Sequence, residues 1–321
     1  MHCNKLFFLA AISLSAFHVS AQTERITFQA PDLYPEGVAY SEKTNQFFVS
    51  SVKTGTIGMV DQAGSYKVFY EDKSLKSTFG MKVDAAKNRL WVCVGDPNFS
   101  KYSDSSTFKK MARIVILDLA TGKKISDIDL TSLQKGKHFA NDLALDGKGN
   151  AYITDSFSPA IYKIDAAGKA SLFTTSELFS SIYVGLNGIV YHPQGFLLVA
   201  HNANGLLYKV PLKEPSKISQ VKITAFFPGA DGLILDKDNN LIVVQNKGVN
   251  KAFRLSSTDG WASASVNAAT MAEDLFQNPT TTTWQKDKLY ALNAKINELS
   301  DSTKTPSKEF SLQVVKLRPV R

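Results

Sequence analysis

Apolar and polar positions follow one another along the chain in a unit that recurs six times. Each unit has an apolar strand, a polar turn and a second apolar strand, and the turns fall near positions 45, 88, 150, 194, 240 and 287. Four of the spacings between turns are about 43 to 47 residues, which is typical of one blade of a β-propeller. The remaining spacing, about 62 residues, separates the second and third units.

Further strands complete each unit. A third apolar strand follows in most units, as at 57–60 and 161–164, and a weaker fourth strand comes next. Helical periodicity is confined to short stretches near 130–134 and 272–276. Six units of four strands, without alternating long helices, predict an all-β fold: a six-bladed β-propeller that forms one domain over residues 22–321.

The two ends of the chain are predicted to close the ring of blades. The sixth unit supplies strands near 280–284, 288–292 and 311–317 but no fourth strand. The segment 24–29 has strand character and no partner in the first unit. We therefore expect it to pair beside the C-terminal strand, which would leave no open sheet edge.

The long spacing indicates an insertion in the second blade at about 95–110, between the second and third strands. It is rich in Ser, Lys and Asp and contains Phe99, Tyr102 and Phe108. Insertions of this length are often lids or binding loops, and the alternative is a plain solvated loop.

Residues 1–21 have the pattern of an export signal. Lys5 precedes an apolar run at 6–17 that is too short to span a bilayer, and Val19-Ser20-Ala21 offers the small residues of a cleavage site. The sequence predicts cleavage after Ala21 and an exported protein, periplasmic or extracellular, without a membrane anchor. The alternative is an uncleaved N-terminal anchor.

Composition and motifs exclude several classes of protein. Lys and Arg number 37 against 29 Asp and Glu, but the basic residues are scattered, which indicates solubility and not nucleic-acid binding. After the signal segment the sequence has a lone cysteine, Cys93, and three histidines without metal-binding spacing. It has no GxSxG, phosphate-loop or dinucleotide glycine motif, which argues against serine hydrolases, NTPases and Rossmann dehydrogenases. No partner protein is indicated.

Candidate chemistry lies just before each first strand, where propeller geometry brings the starts of the inner strands to one mouth of the central channel. The residues at this position are Glu36, Phe79, Asn141, Asn187, Asp231 and Asn278. Two carboxylates with neutral amide oxygens suit a hard divalent cation, which would also relieve their mutual repulsion. The alternative is that these groups cap strand ends and hold water.

Four segments carry a resemblance to a known family. Pro35-Glu36-Gly37, Ala140-Asn141-Asp142, Leu186-Asn187-Gly188-Ile189 and Ala230-Asp231-Gly232-Leu233 resemble signature segments of the gluconolactonase, regucalcin and paraoxonase superfamily of six-bladed propellers. The resemblance implies a divalent ion, calcium or alternatively Mg²⁺, Mn²⁺ or Zn²⁺, with Glu36, Asn187 and Asp231 as ligands and Asn141 as a ligand or substrate contact. It also implies hydrolysis of lactones or related esters, with Asp231 as the general base.

Two departures from the family pattern concern the substrate. Phe79 stands where paraoxonases have a histidine, and Phe139 stands where regucalcin-like lactonases have an arginine. We expect both side chains to contact an apolar substrate.

The loops after the second strands should lie on the same face as the ion, because the second strand runs back toward the mouth. In these loops Asp155, Asn202 and Asn246 are predicted to bind substrate, and His201 is predicted to act as a proton shuttle. The alternative for His201 is a bond to a neighbouring loop.

The sequence therefore predicts an exported, divalent-metal-dependent hydrolase of small-molecule lactones or esters. Two alternatives stay open. One is a non-catalytic propeller that binds a ligand or a protein and holds a structural ion, and the other is a propeller enzyme of different chemistry, such as a strictosidine-synthase-like condensation. The Glu/Asn/Asn/Asp set favours an enzyme, whereas Phe79 and Phe139 favour a binding protein.

Overall fold

The structure, a computed structural model, describes residues 24–320. The predicted export signal at 1–21 lies outside the described residues. Between residues 24 and 320 no helix is long and apolar enough to cross a membrane. The helical elements in this part of the chain are short 3₁₀ turns: Lys73–Leu75, Thr131–Leu133, Glu177–Phe179, Ala272–Asp274 and Ile296–Ser300.

Twenty-five strands follow one another along the described residues, beginning with β1 (Arg25–Gln29). The first repeat contains β2 (Val38–Ser41), β3 (Gln46–Val49), β4 (Thr56–Val60) and β5 (Tyr66–Glu71). The second contains β6 (Ser77–Asp84), β7 (Arg89–Gly95), β8 (Lys110–Asp118) and β9 (Lys124–Asp129). The third contains β10 (His138–Leu145), β11 (Ala151–Asp155), β12 (Ala160–Ile164) and β13 (Ala170–Thr175). The fourth contains β14 (Leu186–His192), β15 (Phe196–His201), β16 (Leu207–Pro211) and β17 (Ser219–Gln220). The fifth contains β18 (Ala230–Leu235), β19 (Leu241–Gln245), β20 (Lys251–Ser256) and β21 (Ser265–Ala269). The last contains β22 (Pro279–Gln285), β23 (Lys288–Asn293) and β24 (Glu309–Val314), and β25 (Arg318–Pro319) follows.

Consecutive strands of each repeat pair antiparallel. This gives the sheets β2-β3-β4-β5 and β14-β15-β16-β17, and the sheet β18-β19-β20-β21, which β25 extends. The second and third repeats form one eight-stranded sheet, because β8 and β10 pair in parallel at two positions, His138 with Lys110 and Phe139 with Met111. With the sheet that holds β22, the described strands form five sheets of an all-β propeller fold.

The N-terminal strand lies in the same sheet as the C-terminal part of the chain. β1 pairs antiparallel with β24 from Arg25 opposite Gln313 to Gln29 opposite Glu309, in the order β1-β24-β23-β22. Phe28 of β1 is buried beside Phe310, with ring centroids 6.2 Å apart. The strand predicted at 24–29 thus has its partner in the C-terminal strand.

Apolar side chains are buried between neighbouring sheets. One cluster joins the first and second repeats through Phe48 and Val92, and another joins the third and fourth through Tyr152 and Val199. The middle strands carry buried residues on both faces, because successive side chains of a strand point to opposite sheet faces.

The insertion in the second repeat spans 96–109 and is bonded to the first repeat. Ser100 Oγ donates hydrogen bonds to the carbonyl oxygens of Lys53 (3.2 Å) and Lys76 (2.7 Å). Lys76 Nζ donates in turn to Tyr102 O at 2.7 Å. Asp96 is fully buried and accepts from hydroxyl groups inside the insertion. The segment therefore has an ordered hydrogen-bonded connection to its neighbours, unlike a plain solvated loop.

A β-bulge interrupts the first strand of five repeats at one common position. The register shifts lie between Thr78 and Met81 in β6, Ala140 and Leu143 in β10, Leu186 and Ile189 in β14, Ala230 and Leu233 in β18, and Pro279 and Thr282 in β22. Each bulge frees two residues from regular pairing. Bulges re-aim side chains and are common beside functional sites.

The second residue of several bulges is a glycine that a neighbouring first strand approaches closely. A methyl group on Gly80 would overlap Asp142 Oδ1 and lie 2.8 Å from Asn141 O. A methyl group on Gly188 would overlap Asp231 O, and one on Gly232 would lie 2.9 Å from Thr280 O. The first strands can approach each other around the channel because these positions lack a side chain.

Candidate functional site

The bulges carry most of the predicted channel-mouth residues. Phe79, Asn141, Asn187 and Asp231 occupy the same register position in the first strands of four successive repeats. Glu36 lies at the matching position of the first repeat, two residues before Val38, which pairs with Val49. The structure thus gives five predicted residues equivalent positions.

The prediction that Asn278 occupies the sixth mouth position is wrong. The bulge of β22 lies between Pro279 and Thr282, so the matching residue is Thr280. Thr280 Oγ1 donates a 2.6 Å hydrogen bond to Glu36 O, whereas Asn278 Oδ1 accepts from Asn297 N at 3.1 Å. The prediction missed Thr280 because the apolar pattern locates the strand but not the bulge within it.

Glu36 and Asp231 are buried carboxylates, each 7% exposed. Burial raises the pKa of Glu36 well above its usual value, and the negative charges of Asp231 and Asp142 raise it further. Burial raises the pKa of Asp231 to about 8, and Asp142 adds to this effect. Both shifts express the same physical fact: negative charge at the mouth is destabilised unless a cation compensates it.

Asn141 presents a free oxygen at the mouth. Its Nδ2 donates a 2.9 Å hydrogen bond to Ser156 Oγ, and Ser156 Oγ donates to Leu186 O at 2.5 Å. These bonds fix the orientation of the amide, so Oδ1 is the atom left over. Asn141 Oδ1 is buried and has no hydrogen-bond partner among the described residues, which is costly in a folded protein unless a ligand is bound.

Asp231 is held by two asparagines. Asn246 Nδ2 donates to Asp231 Oδ2 at 2.6 Å, and Asn187 also stabilises the ionised carboxylate and lowers its pKa. Asn246 Nδ2 donates a second bond to Pro279 O at 3.1 Å. Of the predicted ligands, Asn187 and Asp231 therefore lie side by side.

The two asparagines predicted to bind substrate link neighbouring repeats. Asn202 Nδ2 donates to Ala230 O at 3.1 Å, as Asn246 Nδ2 does to Pro279 O. Both carbonyl groups belong to the residue just before the bulge of the next repeat. Both side chains are partly exposed, and these bonds use their nitrogens, which leaves the Oδ1 atoms for a ligand.

Asp155 has an internal role. It is fully buried, and Oδ1 accepts backbone hydrogen bonds from Phe139, Phe157 and Ser158 at 2.9 to 3.0 Å. Oδ2 lies 2.9 Å from His138 Nδ1 and accepts from Tyr162 Oη at 3.0 Å. Both carboxylate oxygens therefore have partners within the protein.

The ring of His201 contacts a backbone carbonyl and an aromatic ring. Its ring is buried, Nε2 lies 3.3 Å from Ser180 O, and the ring packs edge-on to Tyr208 at 6.4 Å. Burial lowers its pKa, and the other groups that affect it are backbone groups, not Asp231 or Glu36. This is the arrangement of a rim histidine bonded to a neighbouring loop.

Phe79 and Phe139 form a buried aromatic pair. Their ring centroids are 4.4 Å apart in an edge-on arrangement, and Phe157 lies 5.3 Å from Phe139. Both are nearly inaccessible, at 3% and 4% exposed. They give the second and third repeats an apolar wall beside Asn141.

Two charged residues at the channel were missed by sequence reasoning. Asp142, 4% exposed, follows Asn141 in the bulge and affects the pKa of both Glu36 and Asp231. Lys82 Nζ lies 3.6 Å from Asp142 Oδ1 and lowers the pKa of Glu36. The sequence does contain one sign of Asp142: it stands at the position where other repeats have glycine.

Three exposed apolar side chains near the mouth were also missed. Ile182, Tyr183 and Phe226, here called the apolar rim, are 91%, 72% and 67% exposed. Their loops are anchored by Gly185, whose N–H donates to Ser156 O, and by Gly229, whose N–H donates to Asn202 O. The rim therefore borders the residues that hold Asn141 and Asn202.

These residues fit a divalent cation. Glu36 and Asp231 supply negative charge, Asn141 Oδ1 supplies an oxygen to which no described residue is hydrogen-bonded, and Asn187 lies beside Asp231. Within the described range 24–320, no group of three or more His, Cys, Asp or Glu side chains is arranged to hold a metal. A site at the mouth would thus depend on amide oxygens as well as carboxylates.

Comparison with solved structures identifies the fold. The major allergen Mala s 1 of Malassezia sympodialis is 18% identical with a TM-score of 0.71, over 93% of this chain and 97% of that one. A protein described as a candidate gluconolactonase is 15% identical with a TM-score of 0.62, over 94% and 95%. Streptogramin B lyase is 14% identical with a TM-score of 0.62, over 92% and 97%. No family model and no curated protein sequence matches the chain. The similarity shows a β-propeller fold, with a gluconolactonase-like structure among the neighbours, as the sequence resemblance led us to expect.

Proposed function

We propose that the protein is an exported, divalent-metal-dependent hydrolase of lactones or related esters. The observation that carries the proposal is the interaction of two buried carboxylates, Glu36 and Asp231, at the register position that also holds Asn141, whose buried Oδ1 has no hydrogen-bond partner among the described residues. Burying negative charge is costly without a counter-charge, so this arrangement favours cation binding. The resemblance of the surrounding segments to gluconolactonases supports the reaction type.

The mouth residues would bind the ion, and one of them would also accept a proton. Glu36, Asn141, Asn187 and Asp231 would hold the ion, calcium or alternatively Mg²⁺, Mn²⁺ or Zn²⁺. A bound divalent ion would polarise the substrate carbonyl and stabilise negative charge on its oxygen. Asp231 would accept a proton from the attacking water. Asn246 donates a hydrogen bond to Oδ2 of Asp231 and so orients the carboxylate for this role.

The substrate class follows from the surroundings of the mouth. The apolar rim offers exposed apolar surface, and the partly exposed Asn202 and Asn246 offer amide oxygens. An exposed apolar cluster beside a polar site is typical of a binding surface. We therefore assign an ester or lactone with an apolar substituent, and not a sugar lactone.

The test compares turnover and calcium binding in the same preparations. Chelated protein should lose hydrolysis of alkyl lactones and aryl esters, and added calcium should restore it. Glu36→Gln should bind calcium more weakly but recover turnover in excess calcium. Asp231→Asn should stay slow even when saturated, since an amide cannot accept the proton. Equal rescue of both variants would contradict the base role of Asp231.

The second candidate is a non-catalytic propeller that binds a ligand and holds a structural ion. It is favoured by the internal bonding of Asp155 and His201, which leaves the predicted polar rim with fewer free groups. Calcium binding without hydrolysis of any substrate in the panel would support this candidate. A lyase reaction is a related possibility to include in the panel, because streptogramin B lyase shares the fold.

The architecture that we propose for this function is a closed ring of six blades. The eight-stranded sheet would count as two blades, since only the short β8–β10 pairing joins them. Contacts between first strands support the ring: β2 contacts β6, β6 contacts β10, β10 contacts β14, β14 contacts β18, β18 contacts β22, and β22 contacts β2. All six of these strands line one central cavity of about 250 Å³.

A further inference from the structure

Asp142 is the one acidic residue at the second bulge position of the described first strands. Gly80, Gly188 and Gly232 hold this position in the second, fourth and fifth repeats, and Thr281 holds it in the last. The carboxylate of Asp142 occupies the space where a side chain on Gly80 would lie. The missing side chain at Gly80 thus gives Asp142 its room in the channel.

The same repeat that makes room for Asp142 also supplies its counter-ion. Lys82 follows Gly80 by two residues on β6 and lines the central cavity. Its Nζ lies 3.6 Å from Asp142 Oδ1, and its side chain is 26% exposed. Asp142 also accepts from the backbone N–H of Leu143 at 2.8 Å and of Ile189 at 3.4 Å. Lys82 is therefore held in the channel, not at the outer surface.

The charges at the mouth nearly balance a divalent ion. The carboxylates of Glu36, Asp142 and Asp231 interact with one another, and Lys82 contributes the opposing charge. When all four groups are ionised, their net charge is about −2. Without Lys82 the same site would carry about −3, which favours a more highly charged cation.

We infer that Lys82 is a charge-setting residue: by neutralising Asp142 it matches the channel mouth to one divalent cation. This inference rests on the metal site of the proposed function. Lys82 acts through Asp142 and does not touch the ion, so it is a positioning residue. Its effect is electrostatic, because the charge of Lys82 lies 3.6 Å from Asp142 and also acts on Glu36, and charges in a buried channel are poorly screened.

The experiment is a charge cycle read by ion binding. Affinities for Ca²⁺ and Tb³⁺ are measured by calorimetry and terbium luminescence for the wild type, Lys82→Met, Asp142→Asn and the double variant. Lys82→Met should bind Ca²⁺ about tenfold more tightly and Tb³⁺ more tightly still, because Coulomb energy scales with ion charge. Asp142→Asn should bind Ca²⁺ about tenfold more weakly, and the double variant should return to the wild-type affinity.

The controls separate charge from shape. Lys82→Arg keeps the charge and should stay within about twofold of the wild type, as should Lys67→Met on the outer strand β5. If Lys82→Met fails to fold, the Ca²⁺ affinities of the wild type, Asp142→Asn and the double variant still test the inference, because the double variant should bind more tightly than Asp142→Asn. Weaker binding in both single variants, with no recovery in the double, would overturn the inference by making the pair merely structural. A wild type that binds no divalent ion would overturn the proposed function and this inference with it, whereas binding that is unchanged in Lys82→Met would overturn the inference alone.

Discussion

Asn246 fixes Asp231 to the next repeat: its Nδ2 donates to Asp231 Oδ2 at 2.6 Å and to Pro279 O at 3.1 Å. One amide group therefore orients the carboxylate and joins two first strands. Asn202 has the matching position one repeat earlier, where it donates to Ala230 O and, within residues 24–320, to no carboxylate.

The first prediction uses this pair of asparagines. Asn246→Ala should lower the free energy of unfolding by about 1–3 kcal/mol, because it removes a bond to a charged group and one to a backbone carbonyl. It should also weaken calcium binding, since Asp231 loses its orientation. Asn202→Ala is the matched control: it should cost some stability and leave calcium affinity close to the wild type. Urea unfolding and calorimetry measure the two effects.

The second prediction concerns pH in chelated protein. The pKa of Asp231 is about 8 in the folded state against 3.8 for an ordinary Asp, so the folded state holds a proton that the unfolded state has lost. Stability from this group is therefore fully present below pH 4 and falls as pH rises towards 8. The slope contributed by one such proton is at most about 1.4 kcal/mol per pH unit. Glu36, whose pKa is also raised, acts in the same direction.

Urea titrations between pH 5 and 8 in chelator, with and without Asp231→Asn, would measure this dependence. The variant should lose less stability across the range than the wild type. The comparison uses the difference between the two proteins, because surface carboxylates contribute equally to both. Parallel curves would show that Asp231 ionises normally when metal-free.

The third prediction concerns the close approach at Gly80. Gly80→Ala should destabilise the fold and weaken calcium binding, because the added methyl group would displace Asp142 and the backbone at Asn141. Gly195→Ala is the control, since its left-handed φ of 89° strains alanine but nothing lies near its side-chain position. Gly195→Ala should cost about 1 kcal/mol and leave calcium affinity unchanged. Similar calcium affinities in both variants would rule out tight packing at the mouth.

Part of this site could be predicted from the sequence and part could not. The repeat predicts the order of the strands. It also predicts that Glu36, Asn187 and Asp231 lie at equivalent positions, because apolar periodicity fixes where a strand starts. The bulge register is invisible in that pattern, which is how Thr280 was missed. Adjacent strand residues point to opposite faces, but the sequence does not say which face meets the next repeat. It therefore could not show that Asn202 bonds the next repeat while His201 bonds the loop at Ser180.

The missed charges have a different cause. Lys82 is one polar residue within an apolar strand and looks like any solvated position until the channel is known. Asp142 belongs to a quoted motif, but its role depends on the space beside Gly80, which is a tertiary property. The apolar rim was missed because exposure of single loop residues has no sequence periodicity.

The fourth prediction tests the apolar rim. Replacing Ile182, Tyr183 and Phe226 together by serine should raise KM for long-chain lactones by about tenfold, since each buried apolar group contributes to binding. Short-chain lactones should be affected little. The control replaces Val68, Ile125 and Leu172, exposed apolar residues on the outer strands β5, β9 and β13. Equal loss for short and long chains would mean that the rim does not contact the substituent.

The last prediction concerns the insertion at 96–109. Because Ser100 and Lys76 bond it to the first repeat, we expect it to stabilise the fold as a brace. Replacing 97–108 by a short turn should lower the melting temperature by a few degrees, since loss of about 1 kcal/mol shifts it by about 2–4 °C in domains of 150–250 residues and by less in a larger one. Ser100→Ala should reproduce part of the shift, because it removes the bonds to Lys53 O and Lys76 O and leaves the rest of the insertion intact. Ser105→Ala, in an exposed stretch of the same segment, is the control and should leave the melting temperature unchanged.

A shortened protein with wild-type melting temperature and altered KM would instead identify the segment as a substrate lid, so calorimetric melting and turnover are measured on the same samples.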